Sequence, residues 1–295
     1  MILLVPADVL HPRRPDEHFA AEAEAARAAG LEVALIDHDA AAGPGGAEQA
    51  VRAVRTGGPA WYRGWMLRSE QYAALDAALR RRGVTLRTGP EQYRRAHELP
   101  GWYSALAALT PRTVWTAGDD YAEFDRARAE LGSGPAVLRD YTKSMKHYWA
   151  EAAYIPELDD AEASRRVARR FRELRGEDMT GGFVLRRFER FVSAEVRTWW
   201  VDGRCAMIGP HPDTPDDLPA VEVDVAALGG PIADLGLPFV TADFALRDDG
   251  TRRLIELGDG QVSDRPASIP PEILIAALSG GLPDGSPHTG AGGSS

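Results

Sequence analysis

Over residues 1 to about 90, short apolar runs alternate with longer segments of helical period. Ile2–Val5, Val33–Ile36, Ala60–Arg63 and Val84–Leu86 read as strands. A helix follows Asp16, which can cap it, and stops at Gly30. A weak helix over 47–55 and a stronger one over 69–82, ending at Gly83, fill the next two gaps. Strands alternating with helices of this length predict a parallel sheet covered on both faces. From 90 to 112 the pattern is amphipathic helix with a break at Pro100-Gly101, and Trp102, Tyr103, Leu106 and Leu109 read as core. A short strand at Thr113–Thr116 and a helix over 120–131 follow, then a strand at Pro135–Tyr141 and a charged helix over Asp159–Arg175. Gly181-Gly182 opens a further strand, FVLRRFERFV.

In the last third the period shortens to two. The segment AEVRTWWVDGRCAMIG reads as a hairpin turning at Asp202-Gly203. Residues 239–261, FVTADFALRDDGTRRLIELGDGQ, read as a second, turning at Asp249-Gly250. Between them HPDTPDDLP is a loop, a candidate lid or substrate rim, and 220–235 is a helix. A short helix follows Pro270, and the Gly/Ser/Pro-rich stretch 279–295 is expected to be disordered. The expected organisation is an α/β lobe over 1–95, a linker and second lobe over 96–188, a third lobe over 189–278 and a tail over 279–295.

Composition narrows the class. No apolar run approaches the length of a membrane span, and MILLVPADVL lacks the basic start and small-residue cleavage site of a signal peptide. A single cysteine, Cys205, excludes an internal disulfide and suits a reducing cytoplasm. The net charge of −10 argues against nucleic-acid binding by the whole surface.

The candidate chemistry is concentrated in the second hairpin. If Asp249-Gly250 form a two-residue loop, Asp248 faces Thr251 and Asp243 faces Glu256 on one side of the ladder. Opposed like charges repel unless a cation offsets them, and Mg²⁺ takes carboxylate oxygens together with phosphate. Two solvated acids on a surface hairpin are the plainer alternative. Gly258, Asp259, Gly260 and Gln261 follow, which suggests a close backbone approach. Elsewhere Arg63 ends a strand of the parallel sheet, where such sheets bind ligands, and a guanidinium suits carboxylate or phosphate. His11, Arg13, Arg14 and His18 lie in the loop after the first strand, and no GxGxxG is present there. Arg139, Lys143, Lys146 and His147 cluster behind an apolar strand. Glu195 and Arg197, two apart on a strand, share a face.

A strand bearing Asp243, a short turn, and a strand ending in Glu256 thirteen residues on resemble the metal-binding end of the ATP-grasp superfamily. With an arginine-bearing strand and a lysine after the middle strand, the chain is similar to the compact clade named for two arginines and a lysine. Where that family often has asparagine two residues beyond the glutamate, this chain has Gly258. The resemblance implies a Rossmann-like first lobe followed by a two-lobed clamp for ATP, an α/β fold that becomes α+β in the C-terminal half. It implies Mg²⁺ on Asp243 and Glu256, with Asp259 or Gln261 as the third ligand where Gly258 replaces the asparagine, and phosphate contacts from Lys143, with Arg139 as second choice. It implies nucleotide contacts from Arg186, Arg187, the backbone near Phe188, Glu189 and Glu195, and assigns Arg197 to the transferring phosphate, with Lys143 and Arg63 beside it in catalysis. The implied activity is ATP- and Mg²⁺-dependent ligation of a small-molecule or peptide carboxylate to an amine or thiol through an acylphosphate. A non-catalytic ATP-binding regulator, or an enzyme acting on a peptide or nucleic-acid end, are the alternatives.

Overall fold

All five residues of strand β1, Ile2–Pro6, are buried, as expected for a strand inside a two-sided parallel sheet. It pairs in parallel with β2 (Glu32–Ile36) and β3 (Gly58–Tyr62), and β3 pairs with β4 (Val84–Leu86), giving the order β2-β1-β3-β4. The connecting helices are α1 (Glu17–Ala28), the short α2 (His38–Ala42) and α3 (Ala47–Ala50), and α4 (Ser69–Arg81). Asp16 caps α1 as expected, its carboxylate accepting the His18 N–H at 2.9 Å. Helix α5 (Pro90–His97) follows, and α6 (Leu99–Leu106) has Glu98 as its N-cap residue; Pro100 therefore sits in its first turn and breaks nothing.

The computed structural model describes residues 1–216, 223–281 and 287–289, and these form two compact units. The second comprises His97–Val192 and Ala245–Ile255. It holds an antiparallel sheet of order β5-β8-β6-β7, from β5 (Thr113–Trp115), β6 (Ala136–Arg139), β7 (Tyr154–Ile155) and β8 (Val184–Arg187). Helices α7 (Tyr121–Leu131) and α8 (Ala161–Arg175) cover it, and Phe124, Leu138, Phe171, Phe183 and Leu185 are in its core.

The first unit comprises Met1–Ala96, Ser193–Phe244 and the chain from Glu256 onward. Its second sheet has the order β12-β11-β9-β10-β13, from β9 (Val196–Val201), β10 (Arg204–Pro210), β11 (Phe239–Leu246), β12 (Arg252–Asp259) and β13 (His288–Thr289). Helix α9 (Val225–Ala233) lies within the expected 220–235, of which 220–222 fall outside the described residues. Helix α10 (Pro271–Leu278) follows Pro270 as read from sequence. The expected lobes at 1–95 and 189–278 share one core: Leu3, Val5, Phe19 and Trp61 pack with Trp199, Met207, Phe239 and Leu274. The described part of the expected tail includes β13, which pairs with β10; residues 282–286 and 290–295 lie outside the described set.

Both Asp-Gly turns form, differently. At Asp202-Gly203 both residues have positive φ, 47° and 78°, as a two-residue hairpin loop requires. At the other, only Gly250 does (84°), and the Gly250 N–H bonds to the Arg247 carbonyl while the Arg247 N–H bonds to the Thr251 carbonyl. That is a three-residue loop with a glycine bulge. The expected opposition of Asp248 and Thr251 is therefore replaced by Arg247 and Thr251, so the turn does not by itself set Asp243 against Glu256.

Candidate functional site

The antiparallel register of β9 and β11 sets Arg197 directly opposite Asp243. Nε and Nη2 of the guanidinium reach Oδ1 and Oδ2 of the carboxylate, each at 2.8 Å. This two-pronged geometry is the strongest form of the pair. Burial works against the charge on Arg197, but Asp243 and then Glu256 raise its pKa overall. His211 opens the proline-rich loop after β10, and its N–H bonds to the Glu195 carbonyl at 3.1 Å. Its Nε2 lies 2.8 Å from Arg197 Nη2 and 3.6 Å from Asp243 Oδ2. A guanidinium has no lone pair, so Nε2 accepts. Glu195, His211 and Asp243 each bring a donor atom within 4.8 Å of the others. Sequence reasoning placed Glu195, Arg197 and Asp243 here but missed His211; only the β9–β10 register brings it beside Glu195.

Glu256 is half-buried on β12 and its charge is felt at Arg197. Asp259 lies elsewhere. Its carboxylate accepts from the Gln261 N–H at 2.8 Å and from Gln261 Nε2 at 3.1 Å, and Oδ2 is buried without a partner. Burial pushes its pKa up to about 7 against those hydrogen bonds. Its charge acts on Tyr62, Tyr72 and Tyr93, so its surroundings are phenolic rather than those of Asp243. Gln261 joins this network through Tyr72, with Nε2 3.0 Å from the phenol oxygen.

Arg63 is 1% exposed, and its donors are committed. Nε and Nη2 fork onto Glu22 of α1 at 2.7 and 2.8 Å. Nη1 donates to the carbonyls of Gly260, Gln261 and Ser263 at 2.7, 3.0 and 2.9 Å. In the structure it clamps α1, β3 and the segment after β12 together. Glu22, its partner, was not singled out in the sequence because one acid in an Ala-Glu helix carries no distinguishing signal.

In the second unit, Lys143 is exposed and its ammonium has no partner among the described residues. Arg139 is buried and donates to the Asp140 and Thr142 carbonyls at 3.3 and 2.9 Å, holding the turn that carries Lys143. Arg186 donates to the carbonyls of Leu254 and Ile255 and to the Thr110 hydroxyl, and Arg187 to those of Leu131, Gly132 and Ser133. Glu189 pairs with Arg253 at 2.9 and 3.0 Å. The Phe188 ring packs edge-on against Tyr154, its centroid 5.2 Å away. Lys146 and His147 form a single 3₁₀ turn with Tyr148. The room left by Gly181 and Gly182 is taken by protein: a Cβ would meet the Tyr141 ring at 2.1 Å on Gly181 and the Thr116 carbonyl at 2.1 Å on Gly182.

A pocket of about 240 Å³ opens at the carboxyl ends of β1 and β2, lined by Asp8, Asp16, Asp37, His38, Asp39 and Trp65 among others. Asp8, Asp16 and Trp65 come from the loops after the first and third strands, while Asp37, His38 and Asp39 follow the second, a contribution the sequence did not suggest. The His18 ring packs against Trp65 at a tilt of 43°, with ring centroids 4.6 Å apart. Cys205 is partly buried, and burial pushes its thiol up to about 12, far from a thiolate nucleophile.

The sequence model of an ATP-grasp domain family, the third of the clade named for two arginines and a lysine, matches residues 130–278, just over half of the chain. Among solved structures, a RimK domain ATP-grasp protein from Sphaerobacter thermophilus DSM 20745 is 17% identical, with a TM-score of 0.62, covering 95% of this chain and 99% of that one. The D-cycloserine synthetase DcsG is 20% identical at a TM-score of 0.62, again covering 95% and 99%. The ligase PsnB, solved with a minimal precursor, Mg and ADP, is 16% identical at a TM-score of 0.56, covering 95% and 97%. No curated protein matches the chain in sequence.

Proposed function

Because the chain belongs to the ATP-grasp proteins, in the third family of the two-arginine, one-lysine clade, we propose that it is an ATP- and Mg²⁺-dependent ligase joining a carboxylate to an amine. The observation that carries this reading is the convergence of Glu195, Arg197 and Asp243 on the sheet within the matched segment.

In the proposed reaction a carboxylate oxygen attacks the γ-phosphorus of ATP, and ADP leaves. The amine nitrogen of the second substrate then attacks the acyl carbon of the acylphosphate, loses a proton and displaces phosphate. Neither step needs a protein nucleophile, so the side chains act by positioning and by balancing charge. The ammonium of Lys143, exposed behind β6, suits the nucleotide phosphates.

The carboxylates Asp243 and Glu195, with Glu256 on the neighbouring strand, are hard oxygen donors of the kind Mg²⁺ takes. When bound, the metal would neutralise phosphate oxygens. Arg197 and a metal are alternative counter-charges for Asp243. Releasing Asp243 would turn the guanidinium toward the anionic substrate, the role that charge balance gives it. His211 contacts the same Nη2 of Arg197 that Asp243 does, beside the carboxylate. Arg63 and Asp259 take no part; their bonding is internal.

The acidic pocket beside Trp65 is assigned to the amine. Four aspartates favour an ammonium group, and about 240 Å³ admits something nearer an amino acid than a drug-sized ligand. The test is ADP release from ATP and Mg²⁺ across a panel of carboxylates, with and without amines. Release that depends on both a carboxylate and an amine supports the reading. ATP binding with no carboxylate-dependent turnover would replace it by a non-catalytic ATP-binding role.

A further inference from the structure

Asp140 is fully buried at the end of β6, and its two oxygens gather five donors. Oδ1 accepts from the Thr142 N–H at 2.7 Å, the Thr142 hydroxyl at 3.1 Å and the Lys143 N–H at 2.7 Å. Oδ2 accepts from Arg175 Nε at 2.8 Å and the Thr180 N–H at 3.2 Å. The Asp140 N–H itself donates to the Lys143 carbonyl at 3.0 Å, closing the turn. One carboxylate thus ties three pieces of chain: the turn with Lys143 at its exposed end, the last turn of α8, and the segment leading into Gly181-Gly182.

A buried carboxylate is a costly way to hold a turn. A neutral Asx turn at the surface would bond to Thr142 and Lys143 equally well. What the burial adds is the second oxygen, which ties the turn to Arg175. Arg175 is held in its turn through Nη2, which donates to the Asp178 carbonyl at 2.6 Å. Tyr141 completes the lock: its N–H bonds to the Thr180 carbonyl at 3.2 Å, and its hydroxyl donates to the Thr116 carbonyl at 2.7 Å. The backbone at 140–143 is therefore fixed from both sides, while the Lys143 side chain stays exposed.

We infer that Asp140 is the positioning residue for Lys143, holding its ammonium where the nucleotide phosphates are bound, with Arg175 as the anchor on α8. The inference rests on the phosphate role proposed for Lys143 and concerns how that role is achieved. Asp140 touches no substrate. Its effect passes through one turn of backbone, so it acts on phosphate affinity and not on nucleoside affinity.

The test is a double-mutant cycle on nucleotide binding, using the full chain with Mg²⁺, and ATP and adenosine as probes. Asp140→Asn keeps one accepting oxygen and loses the other. Expected is a rise in the Kd for ATP of about tenfold, equivalent to one broken charge-assisted contact, with the Kd for adenosine unchanged. Lys143→Ala should weaken ATP similarly, and Asp140→Asn combined with Lys143→Ala should be no weaker than Lys143→Ala alone. Arg175→Gln, which spares the turn's own bonds, should give a smaller loss in the same direction and serves if Asp140→Asn does not fold. Additive losses, or equal losses for ATP and adenosine, would overturn the inference and leave Asp140 a general stabiliser. ATP loss in Lys143→Ala with none in Asp140→Asn and Arg175→Gln would also overturn it, while leaving the ligase reading intact. A wild-type protein that binds no ATP would overturn both.

Discussion

Arg197 and Asp243 stand opposite one another on adjacent antiparallel strands and close a two-pronged ion pair, with both contacts at 2.8 Å. Sequence reasoning gave one of them to a phosphate and the other to a metal. In the structure each is the other's partner, so any cation that uses Asp243 must compete with Arg197.

Removing the guanidinium exposes that competition. Arg197→Met leaves a buried carboxylate uncompensated, and breaking a pair in this way costs about 3–5 kcal/mol. Mg²⁺ should recover part of the loss. The melting temperature of Arg197→Met is expected to rise with millimolar Mg²⁺ by clearly more than that of wild type. Equal responses would remove Asp243 from the metal site.

Glu256→Gln deletes one of the acids grouped around Arg197 without changing side-chain volume. The variant should melt close to wild type in the absence of metal. A ligand at about 100 times its Kd adds roughly 2.7 kcal/mol of stability. That increment should appear in wild type only with ATP and Mg²⁺ together, and should vanish in Glu256→Gln. A destabilised variant with normal Mg-ATP binding would contradict the assignment.

For Arg63 the expectation is one of stability. Arg63→Met leaves Glu22 with only the longer contact to Arg265, 3.8 Å from its Oε1, and should cost about 3 kcal/mol in urea unfolding. Arg63→Met combined with Glu22→Leu should recover much of that, since replacing a whole buried pair by apolar residues is often neutral. KM for the carboxylate should stay within about twofold in the folded fraction, far less than the loss of a charged substrate contact. A large KM increase with normal stability would return Arg63 to the substrate.

Asp259 sets a pH dependence. Its folded pKa of about 7 lies above the ordinary 3.8, because burial disfavours the charge. The folded state therefore holds the proton more tightly than the unfolded state. Stability from this group is fully present below pH 3.8 and is lost as pH rises toward 7. Asp259→Asn cannot ionise. The difference between its urea midpoint and that of wild type should shift in the mutant's favour between pH 5 and pH 8. A constant difference would show that Asp259 carries its charge without penalty.

Element types were legible wherever periodicity and punctuation agreed, as in the four strands of the first sheet and the caps at Asp16 and Gly83. The two Asp-Gly turns mark the limit of local signals. Asp202 accepts a left-handed backbone and gives a two-residue loop. Asp249 instead turns its carboxylate onto the Thr251 N–H at 2.9 Å and pairs with Arg247, which favours the longer loop. The same dipeptide therefore shifts the strand by one residue in one hairpin and not in the other. The pairings that decide function are longer-ranged still. Arg63 finds Glu22 and the carbonyls after β12, and Arg197 finds Asp243, only once sheet order and register are set. Lys143 was visible because its cluster follows an apolar strand directly; Asp140 was read as part of that strand, Pro135–Tyr141, which in the structure ends at Arg139.

The shared core of the first unit has a consequence for how the protein is made. Leu3 and Val5 lie in the same cluster as Leu274 and Leu278. Strand β1 thus waits for α10, synthesised more than 260 residues later, before its outer face is fully covered, while the second unit needs from beyond residue 192 only the short stretch Ala245–Ile255. Such long sequence separations slow folding and prolong the exposure of apolar surface. C-terminal truncations ahead of α10 should therefore give a chain that is synthesised normally but is retained by chaperones, and no single cut would release the first unit as a contiguous fragment.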